Sequence, residues 1–392
     1  MKTVKLGEIV DIKGGGTPDK SVPEYWRGDI PWASVKDFKS TEIISTADSI
    51  TQLGVKNSAT NIIPSGAIIV PTRMAVGKAA INLIDIAINQ DLKALFPKPN
   101  IDTHYLLHAL LVNSSKLERQ ATGATVKGIT LEVLRALEIP LPLLAEQKRI
   151  AAILDQADTL RRLRQRSLDR LDQLGQAIFY EMFGDPVTNP KGWSRIPFSK
   201  LLENIDSGWS PICLDRAAAE SEWGVLKLGA VTWCEYNQLE NKALPPNIQA
   251  DPTLEVCNGD LLFTRKNTYG LVAACVHVKS TRPKLMISDL IFRFRLRSIS
   301  EVEPCFLHQL LIYPSKRQQI QKLASGSASS MPNISKGKLQ DVLIEIPPFS
   351  LQQEFASRVQ RIETIKEPCS RSLAEYDALF SSLQHRAFRG EL

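Results

Sequence analysis

The chain has little of what secreted, membrane or catalytic proteins usually display. Its six cysteines, Cys213, Cys234, Cys257, Cys275, Cys305 and Cys369, all fall in the second half, and none stands in a C-x-x-C pair. Zinc wants closely spaced ligands, so reduced and mostly buried thiols of a cytoplasmic protein are expected instead. No window approaches the run of about 18 uncharged apolar residues that a membrane span requires. The opening "MKTVKLGEIVDIKGGG" lacks the apolar core of a signal peptide. A cytoplasmic protein with no membrane association is expected.

Catalytic signatures are also missing. The histidines are His104, His108, His277, His308 and His385; only His104 and His108 share a helix face, and no Glu-rich or Cys-rich partner accompanies them. A packed or solvated pair is expected there, not a metal site. "DIKGGGTPD" is not a nucleotide loop, because Asp19 stands where the last glycine of G-x-G-x-x-G belongs and Pro18 favours a turn. "IPPF" at Ile346 lacks the amide or carboxylate with which an amino-methyltransferase holds its target amine. "LENK", Leu239 to Lys242, has the E-x-K spacing of metal-dependent nucleases, but the pattern is short and common on surfaces. No nucleophile–base arrangement emerges. The chain itself is expected to hold no catalytic residues, no metal and no cofactor.

What is present is repetition. At 392 residues the chain is too long for one ordinary domain. "SGAIIVPTRMAVGKAAI" from Ser65 and "NGDLLFTRKNTYGLVAACV" from Asn258 align without gaps, Gly66 over Gly259 and Gly77 over Gly270. Each reads as a turn glycine, a buried strand, a polar basic loop and a second strand. Further pairs follow in the same order: "GGGTP" with "SGWSP", "NQDLKALF" with "ISDLIFRF", "DTHYLLHALL" with "EPCFLHQLLI", and "GATVKGITLEVLRALEIPLP" with "GSASSMPNISKGKLQDVLIEIPP". The fold class is therefore α+β (mixed α/β), with one domain present twice. The period is far too long for a solenoid.

Each copy ends at a proline junction and enters a long amphipathic run. The first uses Ile150, Ile153, Leu154, Ala157, Leu160, Leu163, Leu168, Leu171, Leu174, Ile178 and Met182 at helical spacing and stops at Gly184. The second uses Leu351, Phe355, Val359, Ile362, Cys369, Leu373, Tyr376, Leu379, Leu383 and Phe388, and Pro368 is expected to kink or break it near Thr364–Lys366. Helices of about 40 residues need a partner, and each other is the nearest one. The expected domains are 1–143, a helix over 144–184, a second domain over 185–349 and a helix over 350–392.

A formal charge of +6 permits a polyanionic partner without demanding one. The polar loops are the candidate DNA contacts: Thr72, Arg73 and Lys78 in the first copy, and Thr264, Arg265, Lys266, Asn267, Thr268 and Tyr269 in the second. The later loops add Thr125, Lys127, Ser329, Asn333, Ser335 and Lys336, and Lys36 and Lys227 follow early strands. Arg and Lys suit guanine or phosphate, Asn suits adenine, and Thr suits the thymine methyl or phosphate. Two similar but unequal domains predict a bipartite, non-palindromic target with half-sites about 34–36 Å apart or a multiple of that.

The stretches "IPLPLLAEQKRIAAILDQADTL", "LGQAIFYEMFGDP", "IPPFSLQQEFASRV" and "HRAFRGEL" make the chain resemble the specificity subunit of Type I restriction–modification systems. That resemblance implies two target-recognition domains, separated by two long antiparallel helices that form a coiled coil and set the spacer. It implies double-stranded DNA, two methyltransferase (modification) subunits and restriction subunits as partners, with S-adenosylmethionine, ATP and Mg²⁺ held by those partners. The helix starts would dock the methyltransferases, through Gln147, Arg149 and Ile150 in the first and Gln353 and Phe355 in the second. A Type IIB-like specificity subunit, or a coiled-coil scaffold that does not read DNA, stands as the alternative.

Overall fold

The computed structural model describes residues 2–123, 125–297, 302–326 and 331–392. Ser329 lies outside them. The chain divides into two compact units, Met1–Arg166 with Ser370–Leu392, and Ser167–Cys369. Both divisions fall inside the long helices, so each unit holds one copy of the repeated domain and a portion of both helices.

In the first unit, a five-stranded sheet runs in the order Val10–Gly14, Leu92–Pro97, Ile68–Pro71, Ala80–Asn82, Glu42–Ile43. A four-stranded sheet is ordered Asp48–Ile50, Trp26–Ala33, Ile86–Ile88, Ile62–Ile63. Ile68–Pro71 is buried at every position, which fits an interior strand covered on both faces. Strand Thr3–Lys5 pairs antiparallel with Glu138–Pro140 and delivers the chain to the central helix. The second unit repeats the plan. A sheet ordered Leu202–Ser207, Ile291–Leu296, Leu261–Thr264, Cys275–His277 is followed by a three-stranded sheet, Asn241–Ala243, Gly224–Leu226, Leu285–Met286. Ser194–Pro197 pairs antiparallel with Leu343–Ile346 just before the C-terminal helix.

The structure corrects two details of the repeat. Ile68 faces Ile81 across the first hairpin, whereas Leu261 faces His277 across the second. The second loop is therefore three residues longer, and the gapless alignment holds for the outgoing strand only. Leu95 lies opposite Ile68 and Phe294 opposite Leu261, so "NQDLKALF" and "ISDLIFRF" are one residue out of register in the sequence alignment. The edge turn fixes the true equivalence: Leu92 N–H donates to Asn89 O at 3.2 Å and Ile291 N–H to Ser288 O at 3.0 Å.

The central helix spans Leu144–Phe183, and Gly184, at φ +76°, closes it by donating its N–H to Tyr180 O at 2.8 Å. The C-terminal helix spans Phe349–Arg389 without a break. Pro368 lies inside it, so of the expected kink or break the break does not occur. Proline removes one N–H and crowds the carbonyl four residues before it. That local cost is offset here because buried Phe355 and Ile362 hold the turns before it and buried Ala387 holds those after it.

The two helices pack antiparallel within each unit. In the first, Arg149 donates to Leu392 O at 2.8 Å and Arg161 to Asp377 at 2.6 Å, while the Arg161 guanidinium lies 4.7 Å from the Phe380 ring centre. In the second, Lys366 pairs with Asp172 at 2.5 Å, and the fully buried Phe355 meets the Phe179 and Phe183 rings at 5.6 and 5.5 Å. Burying one such ring contributes about 1.5–3 kcal/mol. Leu160, Leu163, Leu174 and Leu379, read from spacing as part of the apolar stripe, are exposed.

Candidate nucleic-acid interface

Each domain has an open groove beside a glycine segment that presses against a neighbouring strand, and the two segments are built alike. In the first domain, strand Val10–Gly14 ends and Gly15 passes so close to the other sheet that a Cβ would fall 2.0 Å from Ile88 O. Gly16 N–H then donates to Ile88 O at 2.9 Å, and Trp32 Nε1 donates to Gly16 O at 3.1 Å. This delivers Thr17 into the groove, where its hydroxyl donates to the Gln90 side-chain oxygen. The groove measures about 720 Å³, and Lys20, Trp26, Lys36, Met74 and Gln90 are among its lining residues. Burial pushes the Lys93 ammonium down, with Asp91 opposing, and the ammonium donates to Gln90 O at 2.7 Å.

In the second domain, Gly208 plays the part of Gly15, with a Cβ falling 2.1 Å from Ile287 O. Trp209 N–H donates to Ile287 O at 3.1 Å, and the Ser210 hydroxyl donates to the Asp289 carboxylate. A groove of about 540 Å³ is lined by Arg265, Lys266, Asp289, Met331 and Asn333. An adjoining hollow of about 350 Å³ includes Ser210, Lys227 and Lys242.

The loops picked from the sequence come together in pairs. Arg73 bridges Gly128, and Met74 N–H donates to Lys127 O at 3.1 Å, which puts Arg73, Thr125 and Lys127 on one rim. Lys266 bridges Asn333 in the same way, and Ile334 N–H donates to Arg265 O at 2.9 Å. Arg265 also donates to Asn333 Oδ1 at 3.0 Å, and its guanidinium and the Lys336 ammonium lie 4.9 and 5.7 Å from the Phe292 ring centre. Tyr269 is exposed. Lys227 is held by Glu240 at 2.8 Å, and exposed Lys78 donates to Phe38 O at 3.3 Å.

Three candidates do not face outward, one of them Thr264, fully buried on its strand with its hydroxyl oxygen accepting from Ala274 N–H at 2.9 Å. Thr72 is buried and donates to Asp91 O at 3.0 Å. Asn267 is buried, donates to Thr232 Oγ1 at 3.1 Å, and accepts from Thr268 N–H at 2.8 Å. Both hold their loops in shape from below. The partner-docking set needs the same correction. Gln147, Ile150 and Phe355 are buried inside their own units, leaving Arg149 and Gln353 exposed. Arg149 is paired with Glu146 at 2.7 Å. Gln352, not Gln353, is the counterpart of Gln147.

The sequence reading passed over Thr17, Gln90, Ser210 and Asp289. Their stretches were already aligned as repeats, and a polar pair at each end of the alignment was the available signal. "LENK" resolves into surface ion pairs, Glu240 with Lys227 and Lys242 with Asp215 at 2.8 Å each. His104 and His108 both grip Asp155 at 2.8 Å. Burial opposes ionisation of Asp155, but the two histidines outweigh it and hold the carboxyl below its usual range. Among the described residues, no group of three or more His, Cys, Asp or Glu could hold a metal ion.

Repeated mixed domains, each with a groove lined by basic and amide or carboxylate groups and each leading into an antiparallel helix pair, define the class of this protein. The sequence profile of the Type I restriction modification DNA specificity domain matches residues 1–173. The Type I restriction enzyme EcoR124I/EcoR124II specificity subunit of Escherichia coli is 38% identical over 187 residues, covering 46% of this chain and 46% of that one. The EcoEI specificity subunit of Escherichia coli is 35% identical over 176 residues, covering 45% of this chain and 30% of that one. This chain thus spans between about a third and a half of the length of these two relatives. The S subunit of a Type I restriction–modification system from M. genitalium has the same fold, with a TM-score of 0.60 at 13% identity over 99% of this chain and 96% of that one. Over its first 173 residues the chain thus matches the DNA specificity domain of Type I restriction–modification systems, and it is similar there to their specificity subunits.

Proposed function

We propose that this protein is the non-catalytic DNA-recognition subunit of a Type I restriction–modification enzyme. Each domain reads one half of an asymmetric bipartite site through its groove. The observation that carries this reading is the paired construction of the grooves, with one backbone frame and different groups on it. The same frame aims both domains at the same polymer, and the different linings select different sequences. The antiparallel helices set the spacer and dock two methyltransferase subunits, with restriction subunits joining the assembly. S-adenosylmethionine, ATP and Mg²⁺ belong to those partners, and the assembly works in the cytoplasm.

Footprinting of the full chain with its methyltransferase subunits tests this. Two short protected blocks flanking a spacer of arbitrary sequence are expected. Equal affinity for all duplexes at moderate salt would leave only a scaffold role. Matched insertions of about four residues, roughly one helical turn, at Arg166–Ser167 and Cys369–Ser370 should lengthen the preferred spacer. An unchanged spacer refutes the helices as the measure.

A further inference from the structure

Gln90 and Asp289 occupy the same place in the two grooves, and they carry different chemistry. Each stands one residue after the buried position, Asn89 or Ser288, that accepts the turn into the next strand. Each is exposed at its own groove. Each is anchored by a hydroxyl of the glycine segment, Thr17 to Gln90 Oε1 and Ser210 to Asp289 Oδ1. Asp289 N–H returns a bond to Ser210 Oγ at 3.2 Å. Both hydroxyls arrive two residues after a glycine that the fold presses against a carbonyl. The side chains are thus fixed in one direction before any ligand binds.

What the anchor leaves free differs. Gln90 keeps its amide N–H₂ donor and a second lone pair on Oε1, a donor beside an acceptor. Adenine offers the complement in the major groove, an N7 acceptor beside an N6 donor. Asp289 keeps acceptors only. Guanine O6 and N7, thymine O4 and the phosphates all repel a carboxylate. Adenine N6 can donate to it, but the neighbouring N7 faces the second oxygen unfavourably. Cytosine N4 donates, and cytosine's own edge carries only C5–H beside it, the acceptor O6 lying on the paired guanine. Rejection of the other bases is as much a part of the selection as the bond to the right one.

We infer that Gln90 specifies an adenine in the half-site read by the first domain, and that Asp289 specifies a cytosine in the half-site read by the second. The inference rests on the DNA-reading function proposed above.

Selection from randomised duplexes by the full-length chain, with its methyltransferase subunits, tests it. Gln90→Asp should convert one adenine of one half-site to cytosine. Asp289→Gln should convert one cytosine of the other half-site to adenine. Each should leave the second half-site unaltered, with a preference change on the order of tenfold to a hundredfold. Gln90→Glu and Asp289→Asn serve if either first variant fails to fold, with the same direction of change. A wild-type bipartite motif that persists in the folded variants overturns the assignment and leaves the DNA-reading function standing, as does a change to any other base. A wild-type chain that selects no motif overturns both.

Discussion

Gln147 accepts the Asp102 backbone N–H on its side-chain oxygen at 2.9 Å and donates to the Pro142 carbonyl at 3.0 Å. Gln352 repeats this with Glu303 at 2.9 Å and the Pro347 carbonyl at 2.9 Å. Asp102 and Glu303 are the N-caps of the short helices Thr103–Val112 and Pro304–Ile312. One buried amide therefore ties a domain helix, a proline junction and the first turns of a long helix together, once in each unit. The prolines contribute carbonyls to this knot, and their lack of an N–H costs nothing at a helix start.

Gln147→Ala strands a donor and an acceptor in a buried place, which costs about 1–3 kcal/mol. A lowered thermal midpoint is expected, and Gln352→Ala should act the same way on its own unit. Calorimetry decides between this and a docking role: loss of methyltransferase binding at an unchanged midpoint would contradict the buried tie.

Gly15→Ala and Gly208→Ala should each cost roughly 2 kcal/mol or more, because the new Cβ would meet Ile88 O or Ile287 O at 2.0 or 2.1 Å and the backbone must give way. Urea unfolding measures the loss. The damage should extend to DNA affinity, since Thr17 and Ser210 ride on the displaced segments. A variant with wild-type stability and affinity argues against the close approach.

The lysines at the grooves, exposed Lys36 and half-buried Lys266, should act through phosphate. Lys36→Ala and Lys266→Ala are each expected to weaken binding about equally on all sequences and to lower the slope of log affinity against log salt by about 1. Titrations at several salt concentrations give that slope. Sequence-dependent loss with an unchanged slope would assign these lysines to bases instead.

Burial pushes the His308 imidazole down to about 4, with the neighbouring His277 adding to the shift. His308 Nε2 lies 3.1 Å from Cys275 O, fitting a neutral ring that donates there. The unfolded chain takes up the proton near pH 6.5, and the folded chain does not until about pH 4. The folded state therefore loses stability as pH falls through that window, and this group gives no dependence above it. His308→Gln should flatten the fall between pH 6.5 and 4 in denaturant titrations. A slope equal to wild type would mean that the ring is hydrated and titrates normally in the fold.

Much of the architecture was legible from local pattern. The strand Ile68–Pro71, the helix Thr103–Val112 with its Asp102 cap, and the central helix ending at Gly184 each announce themselves through turn glycines, capping residues or periodicity. Pro368 does not break its helix because a helix-breaking preference is local, whereas the packing that overrides it comes from residues such as Phe355 and Ala387 several turns away. Thr72 and Asn267 misled because a polar residue in a basic loop reads the same whether it faces solvent or props the loop from beneath.

By itself the sequence determined the duplication, the mixed strand and helix content of each copy, the two long helices and the loops that carry positive charge. These follow from short-range periodicity and from two segments of one chain obeying the same pattern. Only the tertiary structure decided which residues face the grooves. Thr17 meets Gln90, and Ser210 meets Asp289, across separations of 73 and 79 residues. Those meetings depend on Gly15 and Gly208 lying against Ile88 and Ile287 on another strand. No local propensity encodes such a contact, because its energy exists only once both sheets are in place.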